Sequence, residues 1–167
     1  MIRRSFIFLI CCVALVGCAT QQLPPDVAQD IYLAETRIDT SKLGSETGGR
    51  KVPVSQLKAA LEREVRLRIK NRGNRTVRLD IDVTSANIVT AGQSILVGGS
   101  SHVTATVSVV DYNTGEVLMA PTQVRGTGGG YAPGGIIGAL ALPDRNTDVQ
   151  NIAKGFAENL NIVLFGQ

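Results

Sequence analysis

His102 is the only histidine of this 167-residue chain, so any histidine-based catalysis would have to use it. A serine–histidine–acid triad is not indicated, because Gly98-Gly99-Ser100-Ser101 does not form the Gly-x-Ser-x-Gly turn that presents a nucleophilic serine. A zinc site needs three or four ligands, and only carboxylates are available to assist His102. Asp80 and Asp82 share one face of a predicted strand, which is more typical of a solvated surface than of a carboxylate pair. The sequence therefore predicts no catalytic residue, no metal site and no cofactor, and it indicates a protein that is not an enzyme.

The cysteines indicate a different chemistry, because all three lie within the first 18 residues. Arg3 and Arg4 precede an apolar segment, residues 6–16, whose helix would be about 16 Å long and too short for a hydrocarbon core about 30 Å thick. This arrangement is typical of a secretory signal. Leu15-Val16-Gly17-Cys18 matches the lipobox, in which a diacylglycerol is joined to the cysteine thiol before cleavage. In this segment the chain resembles bacterial lipoproteins.

That resemblance implies that Cys18 becomes the first mature residue and carries about three acyl chains, which together anchor a protein firmly. Ala19 stands where an Asp would favour retention in the inner membrane, so the resemblance implies the outer membrane, with the protein facing the periplasm. The alternative is an ordinary signal peptide cleaved near Cys18, which would leave a free thiol. We therefore predict a signal peptide over residues 1–17, a lipidated cysteine and tether over 18–28, and a periplasmic domain over 29–167.

Composition limits what this domain can be. Removal of residues 1–17 leaves 150 residues, enough for one domain with its own core. The remaining chain holds 15 basic and 14 acidic residues, so the basic balance of the full sequence does not indicate a nucleic-acid partner.

Hydrophobic periodicity predicts the order β-α-β-β-β-α, a single α+β domain in which two helices cover one face of a largely antiparallel sheet. Residues 40–50 and 92–101 are predicted as loop or turn. Glu64 and Arg68, four positions apart in the first helix, are expected to pair. The predicted strands are 31–38, 75–88, 103–109 and 116–125, and the predicted helices are 55–71 and 147–164.

The segment 126–142 interrupts this pattern, since it is rich in glycine up to residue 138 and apolar from 139 to 142. It lacks the spacing of a phosphate-binding loop. It is either a loop without a function of its own or a contact element. In the second case the side chains that would pack on a partner or a membrane surface are Ile136, Ile137, Leu140 and Leu142.

A second candidate surface lies on the first predicted helix. Arg63, Arg66 and Lys70 project from the side opposite Leu57 and Leu61. They form either a solvated helix face or a contact for an anionic envelope ligand, such as a glycan or a lipid head group.

Two turn-and-strand motifs, Val97-Gly98-Gly99-Ser100-Ser101-His102 and the run 111–118, resemble small, functionally uncharacterised lipoproteins of Gram-negative, in particular alphaproteobacterial, envelopes. The order of elements is also similar to periplasmic α/β lipoprotein domains such as the curli secretion channel subunit and the activators of peptidoglycan synthases. Neither resemblance carries over a functional residue.

The sequence thus predicts an outer-membrane lipoprotein that acts as a non-enzymatic accessory or assembly component of an envelope complex, with an envelope protein as partner. The alternative is a binding module for an anionic envelope ligand, and an enzyme is the third possibility.

Overall fold

The computed structural model describes residues 23–128 and 134–166, and its order of main elements confirms the predicted α+β fold. The described strands are β1 (Ile31–Asp39), β2 (Gly48–Gly49), β3 (Arg75–Ile88), β4 (His102–Asp111) and β5 (Val117–Thr127). The described helices are α1 (Pro25–Gln29), α2 (Val54–Arg68), α3 (Ala91–Val97), α4 (Ile136–Leu140) and α5 (Arg145–Phe165), with a 3-10 turn at Ser41–Leu43.

The sheet has the order β1-β3-β4-β5, and β2 adds two residues beside the end of β3. β1 and β3 are parallel because α2 carries the chain back between them, whereas β3, β4 and β5 form an antiparallel meander. The β4–β5 hairpin turns where the sequence predicts it: Asp111 Oδ1 accepts hydrogen bonds of 3.0 Å from the N–H groups of Asn113 and Thr114, and Gly115 has a φ of 76°.

One face of the sheet is covered by α2 and α5, which pack side by side. Alternate residues of each central strand are buried against these helices, as a period of two requires. The fully buried side chains include Leu79, Ile81, Val107, Leu57, Leu61, Ile152, Phe156 and Leu160.

Glycines let β5 and α5 approach closely. A Cβ atom on Gly126 would lie 2.4 Å from the backbone nitrogen of Phe156, and one on Gly155 would lie 2.4 Å from the carbonyl oxygen of Thr127. Residues 126 and 127 pair with Val103 and His102 of β4 and so belong to β5, although the sequence places them in the glycine-rich loop.

Helix α2 differs from its prediction at both ends. It begins at Val54, after Pro53, and it ends at Arg68 because Ile69 is already extended, with φ −79° and ψ 104°. Leu67 is exposed although it is apolar, so it lies outside the face of α2 that contacts the core. The expected Glu64–Arg68 ion pair is present, and Glu64 is buried.

Two further segments were predicted as irregular. The prediction for 92–101 was wrong over its first part, because Ala91–Val97 forms α3. The loop predicted over 126–142 contains α4 within its described part.

Leu23, Val27 and Ala28 are all buried, although the sequence predicts a tether as far as residue 28. Cys18 and the export segment lie outside the described residues.

Candidate functional site

Helices α3 and α4 expose a cluster of large aliphatic side chains. Leu96 and Leu140 are each 82% exposed and Ile137 is 80% exposed. We call this cluster the apolar tip, and it consists of Ile95, Leu96, Val97, Ile136, Ile137 and Leu140. A contiguous exposed apolar surface of this kind is typical of an interface.

Local hydrogen bonds hold the two helices. Thr90 and Gln93 form a capping box at the start of α3: the Gln93 N–H donates to Thr90 Oγ1 at 3.0 Å, and the Thr90 N–H donates to Gln93 Oε1 at 2.9 Å. The Gly135 N–H, just before α4, donates to the carbonyl oxygen of Ile95 at 3.0 Å. Gly135 has a φ of 92°, which a residue with a side chain rarely adopts.

The apolar tip lies at one end of the sheet. Helix α3 follows the last residues of β3, and α4 lies in the connection that leaves β5 at the same end. The chain enters the sheet at the other end, where Ile31, the first residue of β1, pairs with Arg75, the first residue of β3. Since β3 has 14 residues, the two ends are about 40 Å apart.

A buried polar network lies beneath the tip. Arg50 forms an ion pair with Asp148 near the start of α5, and its Nη1 donates to the carbonyl oxygen of Pro143 at 2.7 Å. Ser101 Oγ donates to Asp148 Oδ2 at 2.5 Å and accepts a 2.9 Å hydrogen bond from the Val89 N–H. The network therefore ties the segments on both sides of α3 to the segment that follows α4.

Sequence reasoning missed this network. Arg50 and Ser101 lie in segments predicted as loop or turn, and neither has a local signal. Asp148 does have one, because it lies four positions before Ile152 on the apolar face of α5, where an acidic residue needs a partner.

The N-terminal cap of α5 is adjacent to this network. Asp144 Oδ1 accepts hydrogen bonds from the N–H groups of Asn146 at 2.9 Å and Thr147 at 3.1 Å. Hydrogen bonds from Thr147, first from its side chain and then from its backbone, hold the pKa of Asp144 below its ordinary value.

The residues predicted as a partner contact divide into two groups. Ile136, Ile137 and Leu140 belong to the apolar tip, whereas Leu142 is half-buried. Nothing in the sequence indicates that Ile95, Leu96 and Val97 join them, because an apolar run of this kind is equally typical of a core segment.

The predicted anion contact lies apart from the tip, on and just beyond α2. Arg63, Arg66 and Lys70 are exposed, as predicted. Arg63 Nη2 is 2.8 Å from Glu64 Oε1 and also donates to Gln150. Arg66 lines a shallow cavity of about 240 Å³ together with Glu62 and residues of β1. This basic surface is thus interleaved with acidic side chains.

The side chains considered for catalysis have other contacts. His102 is half-buried, and its Nδ1 lies 3.4 Å from the carbonyl oxygen of Ser100. Asp80 accepts two hydrogen bonds from Arg78, at 2.8 and 2.9 Å, and Asp82 pairs with Lys42. Within residues 23–128 and 134–166, no group of three His, Cys, Asp or Glu side chains is placed to hold a metal ion. None of the helices in the described ranges has the length and hydropathy needed to cross a membrane.

No protein-family model matches the sequence, and no curated protein matches it. Solved structures match at low identity. A Xanthomonas campestris protein of the family DUF330 is 11% identical, with a TM-score of 0.42, over 83% of this chain and 87% of that chain. The PelC dodecamer from Paraburkholderia phytofirmans gives 11% identity and a TM-score of 0.42 over 85% of this chain and 93% of that chain. A candidate lipoprotein from Caulobacter crescentus CB15 is 16% identical, with a TM-score of 0.31, over 73% of this chain and 89% of that chain.

At these identities and TM-scores the similarities carry no argument about function. The predicted likeness to the curli secretion subunit stays a prediction.

Proposed function

We propose that this chain is a lipid-anchored outer-membrane protein that faces the periplasm and serves as a non-enzymatic accessory or assembly component of an envelope complex. The tip is the proposed contact with its protein partner.

The anchoring part of the proposal rests on the export segment. The apolar run after Arg3 and Arg4 ends in Gly17-Cys18, and Ala19 follows the cysteine. Only four residues lie between Cys18 and Leu23, the first buried residue that the structure describes. The five residue steps from Cys18 to Leu23 span at most about 18 Å, so an acylated Cys18 would hold the domain close to the membrane.

The observation that carries the proposal is the position of the apolar tip. Its six aliphatic side chains lie at the end of the sheet away from the residues where the chain enters. A domain anchored at one end and apolar at the other presents its contact surface to the periplasm, where proteins of an envelope complex could bind it.

Binding of an anionic ligand by α2 is less favoured by the side-chain contacts. Arg63 is bonded to Glu64 and Gln150, and Arg68 pairs with both Glu64 and Glu158. These acidic partners offset the positive potential that would attract an anion.

The proposal is tested by acylation, fractionation and crosslinking in intact cells. Wild-type protein should incorporate labelled palmitate, fractionate with the outer membrane and crosslink to one enriched envelope protein. The Cys18→Ser variant should lose all three properties. An unlabelled wild-type protein, or one recovered only in the soluble fraction, would refute the anchor.

A further inference from the structure

We infer that the apolar tip is a preformed docking surface for a different protein that presents an uncharged apolar groove, and that Arg50, Ser101 and Asp148 are the residues that position it. This inference rests on the proposed function, because it uses the anchored end to decide what can reach the tip.

The chemistry of the partner follows from the absence of charged residues in the two segments that carry the tip. Residues 83–110 and 126–143 contain no Asp, Glu, Lys or Arg, so both tip helices lie in uncharged segments. A charged partner group buried against Leu96 or Leu140 would lose its hydration and gain no counter-charge from these segments. A complementary partner therefore offers apolar side chains at the contact, with its polar groups at the rim.

The tip is held in place before any partner binds. The capping box fixes the start of α3, the Gly135–Ile95 hydrogen bond joins α4 to α3, and the Arg50–Asp148–Ser101 network fixes the flanking segments. Side chains already ordered in the free protein lose less conformational entropy on association. Exposed aliphatic residues on a backbone held in this way suit insertion into a groove.

The membrane that carries the anchor is a poor occupant. The tip is about 40 Å from the first residue of β1, and the tether adds about 18 Å at most. The tip would touch this membrane only if the domain lay on its side. That orientation would press a charged flank against lipid, either the sheet face with Arg78 and Asp80 or the helix face with Arg66 and Lys154, at a cost in desolvation.

A second copy of the chain bound tip to tip is also a poor occupant. A two-fold contact between two tips would use the same surface on both subunits. The two anchored ends would then lie on opposite sides of the pair, so both could not enter one membrane leaflet. A different protein, bound beyond the anchored end, avoids this conflict.

The test is photocrosslinking of the full-length lipidated protein in intact cells. A benzophenone amino acid is placed at Leu96 or Leu140 in the tip, and at Leu67 or Ile162 as controls, which are 54% and 48% exposed elsewhere on the surface. We expect both tip positions to give one adduct containing peptides of a single other protein, and both control positions to lack it. The substitution Ile137→Asp should lower the yield of the adduct from the tip positions about tenfold or more.

Three outcomes would overturn the inference. An adduct of twice the chain's mass with only its own peptides would identify a second copy. Adducts with lipid alone would identify the bilayer. Equal yields from tip and control positions, or no adduct from any of them, would show that the tip is not a docking surface. Palmitate labelling of the same cells separates these outcomes from failure of the anchor.

The positioning role has its own test. Ser101→Ala removes the hydroxyl that joins Val89 to Asp148. It should lower the Leu96 adduct severalfold relative to the amount of folded protein. Ile81→Val, in the core beneath the helices, is the control because it also lowers thermal stability but leaves the network intact. A similar loss of adduct in both variants would show that Ser101 acts only through stability.

Discussion

Removal of Arg50 should cost the domain stability, because Arg50 is the counter-charge of a buried carboxylate. Arg50→Ala would leave Asp148, whose side chain is 4% exposed, without its counter-charge. We expect the free energy of unfolding to fall by about 3 kcal/mol, as measured by urea denaturation. Arg37→Ala is the control, because Arg37 pairs with Glu35 at the surface and should cost less than about 1 kcal/mol. Equal losses would contradict a buried, structural role for Arg50.

Two aspartates should make stability depend on pH. The pKa of Asp111 is lowered, first by the Thr114 N–H and then by Arg75, and that of Asp144 is lowered by Thr147. Because folding lowers both pKa values, their contribution is present above the unfolded value of about 3.9 and is lost as the pH falls through the folded values. We expect the melting temperature of wild type to drop more steeply below pH 4 than that of an Asp111→Asn, Asp144→Asn variant, in which the amides preserve the turn and the cap. Parallel plots of melting temperature against pH for the two proteins would contradict the role given to Asp111 and Asp144.

Side-chain pairs differ in how far the sequence could predict them. The Glu64–Arg68 pair follows from a spacing of four in a helix. Arg50 and Asp148 are 98 positions apart and Ser101 and Asp148 are 47 apart, so only the folded chain brings them together. Local patterns carry no information about such contacts.

The packing of elements can be tested at two glycines, where substitution by alanine should change the free energy of unfolding in opposite directions. Gly126→Ala places a Cβ atom against the backbone of α5 and should lower the free energy of unfolding by about 1–3 kcal/mol. Gly92→Ala, in α3, meets only Thr90 Oγ1 at 3.9 Å and should raise it by about 0.5–1 kcal/mol. Urea denaturation measures both changes. A loss of stability in the Gly92 variant, or none in the Gly126 variant, would contradict the packing described.

The long elements were predictable because their periodicity reflects burial directly. Strand β3 and helix α5 each show one apolar face throughout. Helix α3 was not predicted because Gly92, Gly98 and Gly99 suggest a turn. The spacing of Thr90 and Gln93 is nevertheless that of a capping box and indicates the start of a helix. Gly126, near the end of β5, was misassigned because close approach to a helix leaves no trace in periodicity.

At the scale of the whole molecule, the separation of the anchored end from the apolar tip depends on topology. The parallel pairing of β1 with β3 places the entering chain opposite α3 and α4. The sequence indicated Ile136, Ile137 and Leu140 as a contact but left open whether they face a partner or a membrane. The choice between a partner and a membrane depends on which end of the sheet carries these residues, and the pairing of β1 with β3 shows this.

The most direct test of this account measures the distance of the tip from the membrane. Under the proposed processing, Cys18 is the only mature cysteine and its thiol carries the lipid, so a cysteine introduced at Leu96 or at exposed Gln29 can be labelled selectively. Energy transfer to a lipid-linked acceptor is then measured with the lipidated protein in vesicles. We expect transfer from position 29 to exceed transfer from position 96 severalfold. Equal transfer from both positions would place the tip at the bilayer and contradict its availability to a periplasmic partner.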